Sequence, residues 1–329
     1  MQHPYLMFLG DVPDQLGAKT AQGIVDWRPD WCLGQMRLPN CQADLGIKDI
    51  SIEEAAKNGA KTMVIGIVNS GGFLPEHWIK SVIEAMEAGM DIASGLHIRL
   101  SSIPELEQAA DQLGRNLYDV RHPSEDVPTG KGTPRTGKRL LAVGTDCSVG
   151  KMYTTLAIEK EMKARGIKSD FRATGQTGIF IAGTGISIDA VVADFISGAV
   201  EVLSPENDDD HWDIIEGQGS LFHPSFAGVS LGLLHGAQAD ALILCHEPTR
   251  KHMRGIPHQP LPDLKECMEL NLVTARLTNK NARFVGISVN TSGLSVEEGD
   301  KLLKDLEAEF ELPCVDAYRT GVASIVDAL

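Results

Sequence analysis

The chain has 329 residues, of which 43% are hydrophobic and 23% are charged, and its formal net charge is −15. This length suffices for two domains that each bury a core of their own. The acidic balance argues against nucleic acid or an anionic membrane as the main partner, so an anionic ligand would need a local basic site.

The first third of the chain alternates between predicted helices and strands. Residues 51–97 predict an α-β-α-β unit, because a capped helix, a buried apolar run, an amphipathic helix and a second apolar run follow one another. This alternation is typical of a Rossmann-like domain, which we assign to residues 1–120. The predicted strands span 5–10, 62–68 and 91–97, and the predicted helices begin near Ser51, Pro75 and Pro104.

The turn that follows the strand at 62–68 contains Asn69, Ser70, Gly71 and Gly72. Ligands of parallel α/β sheets bind at the carboxyl ends of the strands, so we predict that these four residues bind a cofactor. The alternative is that the two glycines only form a tight turn.

Residues 121–138 are rich in proline, glycine and charge and lack a periodic apolar pattern. This composition is typical of a linker, so we place the domain boundary there and assign residues 139–329 to a second domain. Its strands alternate with helices, which predicts a parallel sheet covered on both faces and an α/β fold for the whole chain. Residues 176–185 predict a loop. The predicted strands lie at 140–143, 169–175, 213–219, 239–247, 284–290 and 314–318.

The second domain begins with a phosphate-binding pattern. A buried strand, Leu140–Val143, leads into a glycine-bounded loop and then to Lys151 at the start of a predicted helix. This is the plan of a P-loop, in which backbone N–H groups, the helix N-terminus and the lysine bind phosphate. The residues predicted to bind a cofactor here are Gly144, Thr145, Asp146, Cys147, Ser148, Val149, Gly150, Lys151 and Met152.

This loop departs from the P-loop of nucleotidases in two ways. Five residues rather than four separate its glycines, and Met152 stands where Ser or Thr normally holds Mg²⁺. Thr154 and Thr155 carry hydroxyls but are displaced along the helix. We therefore predict phosphate binding without a metal ion. Cys147 is either a reactive thiol or a small residue that fills a tight turn.

The predicted catalytic residues are Glu216 and His223. Glu216 ends a buried strand at the same sheet edge as the P-loop, where a carboxylate can act as a general base or hold Mg²⁺ through water. His223 lies on the following loop and is a second candidate acid or base. The alternative for both residues is a structural role, in which the glutamate accepts backbone N–H bonds.

Arginines near predicted strand ends are candidates for binding a dicarboxylate, because a guanidinium forms two parallel hydrogen bonds to one carboxylate. The predicted substrate-binding residues are Arg172, Arg250 and Arg254. The last two belong to residues 247–254, a segment that is unusually cationic for an acidic protein.

The sequence also predicts a cytoplasmic protein. No apolar run approaches the length of a membrane span, and the N-terminus lacks the layout of a signal peptide. The six cysteines form no C-x-x-C pair, so we expect free thiols in a reducing compartment.

Two families resemble this chain. The segment GTDCSVGK is similar to the P-loop of dethiobiotin synthetases, which has the same five-residue spacing, and IIEGQGS resembles the Glu-Gly turn of that family; Met152 departs from its usual threonine. The whole chain resembles more closely the D-glutamate N-acetyltransferases, through GIVNSGG, GTDCSVGKM, ATGQTGI, EGQGSL and HEPTR. That family, long described as a domain of unknown function, combines a Rossmann-like N-terminal domain with a P-loop-like C-terminal domain.

The resemblance implies transfer of an acetyl group from acetyl-CoA to D-glutamate. The product would be N-acetyl-D-glutamate in D-amino acid catabolism, with an N-acetylglutamate racemase as functional partner, and an enzyme of this type is expected to be a homo-oligomer. The N-terminal domain also resembles the CoA-binding Rossmann domains of acyl-CoA synthetases, so either domain could hold CoA. The alternatives are an ATP- and Mg²⁺-dependent ligase of dethiobiotin-synthetase type and a non-catalytic nucleotide- or CoA-binding module.

Overall fold

The structure, a computed structural model, describes residues 1–68, 71–123 and 127–329. The chain forms two compact units. The first contains residues 1–123 and 175–190, and the second contains the described residues from 127 to 174 and from 191 to 329. The chain therefore leaves the second unit after residue 174 and returns at residue 191, an excursion that the predicted domain boundaries do not contain.

The first unit is built on five parallel strands in the order β2-β1-β3-β4-β5. The chain runs outwards from β1 in both directions, so the switch point of this sheet lies between β1 and β3. Its strands are β1 (Tyr5–Gly10), β2 (Cys32–Arg37), β3 (Thr62–Ile65), β4 (Asp91–Ser94) and β5 (Leu117–Asp119). Its helices are α1 (Lys19–Trp27), α2 (Ile52–Lys57), α3 (Ile79–Glu87), α4 (Pro104–Leu113) and, from the excursion, α6 (Gln176–Ala182).

Local chemistry explains the predicted α-β-α-β unit. Ser51 caps α2, because its side chain accepts a hydrogen bond from the backbone N–H of Glu54. Trp78 is buried against Gly10, where a Cβ would lie 2.1 Å from the indole ring, and its Nε1–H donates to Asp11 Oδ1 at 2.8 Å. A large aromatic residue thus closes the end of β1, and only glycine fits beneath it.

The second unit is built on six parallel strands in the order β11-β10-β9-β6-β8-β7. From β6 the chain crosses to the edge strand β7 and returns to β8, beside β6, whereas β9, β10 and β11 follow outwards on the other side. The loop after β6 therefore lies at the switch point. Its strands are β6 (Lys138–Gly144), β7 (Ser169–Arg172), β8 (Trp212–Ile215), β9 (Ala241–His246), β10 (Arg283–Val289) and β11 (Cys314–Val315). Its helices are α5 (Lys151–Ala164), α7 (Ile196–Leu203), α8 (Ala227–Ala237), α9 (Leu264–Ala275), α10 (Val296–Phe310) and α11 (Ala323–Asp327).

These two parallel sheets with helical connections confirm the predicted α/β class. One local prediction is wrong: residues 176–185 are not all loop, because α6 occupies Gln176–Ala182 and ends at Gly183 in the left-handed conformation. Its glycine and β-branched residues have low intrinsic helix propensity, which hid it. Burial compensates for that low propensity, since residues 178–181 have buried side chains or backbone.

Within the described part of the chain, every helix is too short or too polar to cross a bilayer.

Candidate ligand-binding site at the P-loop

The loop between β6 and α5 has the conformation of an anion-binding nest. Ser148 and Gly150 both have positive φ, at 54° and 101°, which turns the backbone sharply before the helix begins at Lys151. Within the described residues, the backbone N–H groups of 148–152 donate no hydrogen bond. These donors and the helix N-terminus together favour a phosphate group.

Lys151 supplies the full positive charge of this nest. Its side chain is buried, and Nζ donates to the backbone oxygen of Asp146 at 2.7 Å, so the side chain arches back over the loop. Burial lowers the pKa of Lys151. A bound anion would compensate the charge of this lysine, whose Nζ donates to a neutral carbonyl oxygen.

Asp146 joins the P-loop to the segment after β9. Its carboxylate is completely buried, and Oδ2 accepts hydrogen bonds from Arg250 Nη1 and from the backbone N–H of Arg254, both at 2.7 Å. Oδ1 accepts from the backbone N–H of Cys147 at 2.6 Å. One carboxylate therefore fixes the position of both arginines relative to the loop, a role that the sequence pattern did not reveal.

Arg250 and Arg254 add two more cations at this loop. Arg250 also donates to the backbone oxygens of Cys147 and Ser148, at 2.6 and 3.1 Å, and pairs with Glu247 at 3.0 Å. Arg254 is exposed and donates to the Ser148 hydroxyl. The structure thus brings these two predicted residues beside the phosphate nest, where their charge suits phosphate as well as carboxylate.

Arg172 is placed differently. Its Nε donates to the buried carboxylate of Asp213 at 2.8 Å, and its Nη2 lies 3.5 Å from Asp170. These partners sit near the starts of β7 and β8, whereas the P-loop follows the end of β6. The side chain is held by this ion pair, so its predicted role in substrate binding is the weakest of the three arginines.

Glu216 follows β8, the strand that pairs with the P-loop strand. It is buried, and its Oε2 accepts the backbone N–H of Thr174 at 2.9 Å. The next residue, Gly217, packs directly beneath the lysine, since a Cβ there would lie 3.0 Å from Lys151 Cδ. The carboxylate is therefore fixed at the same sheet edge as the P-loop, which its predicted catalytic role requires.

His223 is buried with both ring nitrogens in hydrogen-bonding contacts. Nδ1 accepts from the backbone N–H of Ser225 at 3.2 Å, so Nε2 carries the proton and donates to the backbone oxygen of Arg254 at 3.2 Å. A neutral imidazole in these contacts has no lone pair left for a substrate proton. The geometry thus gives His223 a positioning role for the segment that carries Arg254.

The hydroxyls near the loop are already bonded within the protein. Thr155 Oγ1 donates to the backbone oxygen of Lys151 at 2.9 Å, and Thr154 Oγ1 donates to that of Gly150 at 3.0 Å. Both hydroxyls therefore bond back onto the helix, and neither replaces the missing hydroxyl at Met152. The loop lacks the side chain with which a P-loop usually binds Mg²⁺.

Two groups of side chains in the described residues have metal-ligating atoms within 4.8 Å of one another. In the first, the Asp146, Cys147 and His223 group, the carboxylate already accepts Arg250 and two backbone N–H groups. In the second, Asp170, His211 and Asp213, the guanidinium of Arg172 lies between the two carboxylates. An arginine thus supplies the positive charge in each group.

The thiol of Cys147 is partly buried, and burial raises its pKa despite the nearby cation of Lys151. A protonated thiol is a poor nucleophile. The structure therefore favours the simpler interpretation, that a small residue fills the loop.

In the first unit, Gly71 and Gly72 have φ values of 88° and 60°, so both need glycine's conformational freedom. Gly72 packs against His97, because a Cβ would lie 2.4 Å from the imidazole ring. This close packing fits the tight-turn interpretation. Asn69 and Ser70, also predicted to bind the cofactor, lie outside the described residues.

Two family models match most of the chain. Residues 127–326 match the P-loop domain of DUF1611, a domain of unknown function, and residues 37–123 match the Rossmann-like DUF1611 N-terminal domain. The chain belongs to the DUF1611 family. This membership confirms the predicted pairing of a Rossmann-like and a P-loop-like half.

Two named proteins and one solved structure are similar to this chain over nearly their full lengths. The D-glutamate N-acetyltransferase of Tritonibacter scottomollicae is 56% identical over 329 residues, which cover 100% of this chain and 99% of that protein. The D-glutamate N-acetyltransferase of a Pseudoalteromonas species is 55% identical over 323 residues, with coverages of 98% and 97%. The crystal structure of a DUF1611 family protein from Anabaena variabilis is 32% identical and matches with a TM-score of 0.87 over 99% of both chains.

The packing beneath the lysine gives a testable consequence. Replacing Gly217 with alanine would place a Cβ 1.7 Å from the backbone oxygen of Ala142, so β6 and β8 must move apart. We expect the free energy of unfolding to fall by about 1–3 kcal/mol in urea titrations. Gly228→Ala is the matched control, because nothing lies within 4 Å of a Cβ there and we expect no loss. Equal stability of both variants would contradict this packing.

Proposed function

We propose that this chain is a D-glutamate N-acetyltransferase that moves the acetyl group of acetyl-CoA to the amino group of D-glutamate. The full-length similarity to two proteins of that name supports the reaction. The P-loop supports the choice of acetyl-CoA as the donor. Its phosphate nest has three cations beside it, Lys151, Arg250 and Arg254, and a methionine follows the lysine.

Coenzyme A fits this combination. It carries a pyrophosphate and a 3′-phosphate, which the nest, Lys151 and Arg250 can bind. Its chemistry takes place at a thioester, so no phosphoryl group is transferred and no Mg²⁺ is needed to neutralise one. A P-loop that binds phosphate but lacks the metal hydroxyl matches a donor of this kind.

The reaction needs a base, an oxyanion site and groups that hold the acceptor. Glu216 is the better candidate base, since its carboxylate lies at the P-loop edge while the imidazole of His223 is bonded at both nitrogens. The base takes a proton from the substrate ammonium, the amine attacks the thioester carbonyl, and the C–S bond breaks to release CoA thiol after proton transfer. Backbone N–H groups would stabilise the oxyanion, and the exposed Arg254 would hold a carboxylate of the substrate.

The direct test is to mix the purified protein with acetyl-CoA and either glutamate enantiomer and to measure thiol release and acetylated product. We expect thiol release with D-glutamate and much less with L-glutamate. Release with neither enantiomer would overturn the proposed activity, and equal rates would overturn the assignment of D-glutamate as the preferred substrate.

Replacing Glu216 with glutamine tests the base. Glutamine keeps an oxygen for the N–H of Thr174 but cannot take a proton, so we expect kcat to fall by about 100-fold with a nearly unchanged KM for acetyl-CoA. Glu206→Gln, at an exposed carboxylate, is the control and should keep full activity. Unchanged kcat in the Glu216 variant would assign that carboxylate a purely structural role.

The runner-up is an ATP-dependent ligase of dethiobiotin-synthetase type, which the five-residue loop spacing favours. It predicts ATP consumption that depends on Mg²⁺ and on a carboxylate substrate. The hydroxyls of Thr154 and Thr155 argue against it, because both bond back onto the helix and neither replaces the metal hydroxyl that normally follows the lysine.

The cellular setting that we propose is the cytoplasm, where the six free cysteines would stay reduced. N-Acetyl-D-glutamate would enter D-amino acid catabolism through an N-acetylglutamate racemase. We also propose that the chain works as a homo-oligomer, which a mass measurement in solution would test.

A further inference from the structure

A cavity of about 610 Å³ opens directly beside the phosphate nest within the second unit. This volume is within the range of small-molecule sites, roughly 300–1,000 Å³. Its walls come from the end of the P-loop, the first turn of α5, and the loops that follow β10 and β11. The lining includes Val149, Gly150, Val289, Leu294, Val296 and Tyr318. Sequence reasoning missed this cavity, although both loops follow predicted strand ends.

Asp316 holds the two outer walls together. One carboxylate oxygen accepts the backbone N–H of Thr291 at 2.9 Å and also its hydroxyl, and the other accepts the backbone N–H groups of Tyr318 and Arg319 at 3.0 Å. Burial alone would raise the pKa of Asp316, but these hydrogen bonds outweigh burial and lower it. The loop after β10 and the loop after β11 are therefore fixed to one buried anion.

The two loops that Asp316 fixes, after β10 and after β11, contribute an aromatic ring and a side-chain amide to the cavity. Tyr318 lines it with 85% of the residue exposed, which is unusual for so large a side chain. Asn290 lines it as well, and its side-chain oxygen accepts the backbone N–H of Ser292 at 3.1 Å. That hydrogen bond orients the amide of Asn290. Within the described residues, the Nδ2 of Asn290 donates no hydrogen bond.

A flat heteroaromatic ring suits these walls. Aliphatic side chains and an exposed tyrosine can contact its faces, and an amide N–H can donate to a ring nitrogen. Guanine would need an acceptor for two adjacent donors, its N1–H and its amino group, but each oxygen of Asp316 already accepts two hydrogen bonds. The chemistry favours adenine, whose ring nitrogens are all acceptors and whose single amino group is its only donor.

We propose that this cavity binds the adenine ring of the acyl donor while the P-loop binds its phosphates, so that the second unit holds the nucleotide half of CoA. The choice of CoA as donor rests on the proposed function; the choice of an adenine nucleotide rests on the cavity alone. This proposal assigns the nucleotide to the P-loop unit and not to the Rossmann-like unit. The sequence alone left the choice between the two units open.

Calorimetric titration of the full-length protein with ADP, GDP, CoA and pantetheine tests the proposal. We expect ADP and CoA to bind at least about ten times more tightly than GDP or pantetheine. Tyr318→Ala should weaken ADP and CoA binding by about tenfold, the size of one lost base stack, whereas Tyr318→Phe should retain it. Leu277→Ala, which removes an exposed apolar side chain elsewhere, is the control and should bind like the parent protein.

A second arm separates this proposal from the proposed function. If the protein acetylates D-glutamate, Tyr318→Ala should raise KM for acetyl-CoA about tenfold but leave transfer from a short acetyl thioester without adenine unchanged. If the protein acetylates nothing, the adenine site still stands or falls on the ADP titrations. Equal affinities for ADP and GDP, or unchanged ADP and CoA binding in Tyr318→Ala, would overturn it.

Discussion

Replacing Lys151 with methionine should lower kcat/KM for acetyl-CoA by about 100-fold. The side chain is buried in the phosphate nest, and a hydrogen bond from a charged donor contributes about 1.5–3 kcal/mol. Methionine has a similar length without the charge, so the loss should appear mainly as a higher KM and as weaker CoA binding. Steady-state kinetics and calorimetry would measure both.

The matched control for this variant is Lys160→Met, which removes an exposed charge from the same helix, α5. It should leave CoA affinity within about twofold, because surface charges at a distance are screened. If Lys151→Met bound CoA as tightly as the parent protein, the P-loop would not be the donor's phosphate site.

Replacing Asp146 with alanine should lower the free energy of unfolding by about 3–5 kcal/mol. The carboxylate is completely buried and pairs with Arg250, and it also accepts backbone N–H groups from Cys147 and Arg254. Its removal leaves Arg250 with Glu247 as its carboxylate partner and leaves two backbone N–H donors without their acceptor. Urea titrations followed by circular dichroism would measure the loss.

Asp170→Ala provides the comparison for this stability effect. That carboxylate also lies near an arginine, Arg172, at 3.5 Å, but it is half exposed. An exposed ion pair contributes at most about 1 kcal/mol, so the loss should be several times smaller than for Asp146. Equal losses in the two variants would contradict the assigned role of Asp146 in holding the P-loop to the arginine segment.

The spacing of residues along the chain predicts those parts of the site whose residues are close together in the sequence. The P-loop, its lysine and the strand before it are contiguous, so glycine spacing and an apolar run suffice to identify them. The sequence also predicts roles for Arg250 and Arg254, because they lie in a cationic segment near a predicted strand end. In the structure that strand is β9, which pairs with the P-loop strand. Parallel strands bring their carboxyl ends to one edge, which places Glu216 there as well.

Other features depend on contacts that spacing does not encode. The ion pair of Arg172 with Asp213 joins residues that are 41 positions apart in the sequence, and it holds that guanidinium near the starts of β7 and β8. The bonds of His223 to Ser225 and Arg254 depend on how two loops pack. The excursion of residues 175–190 into the first unit depends on tertiary burial, which here compensates for weak helix propensity.

The measurement that tests the central claim most directly is a single reaction that contains the protein, acetyl-CoA, D-glutamate and excess EDTA, without any added nucleotide. The account predicts one CoA thiol for each N-acetyl-D-glutamate formed, at a rate that EDTA does not change. A reaction that requires both ATP and Mg²⁺, or no acetylated product in their absence, would contradict it.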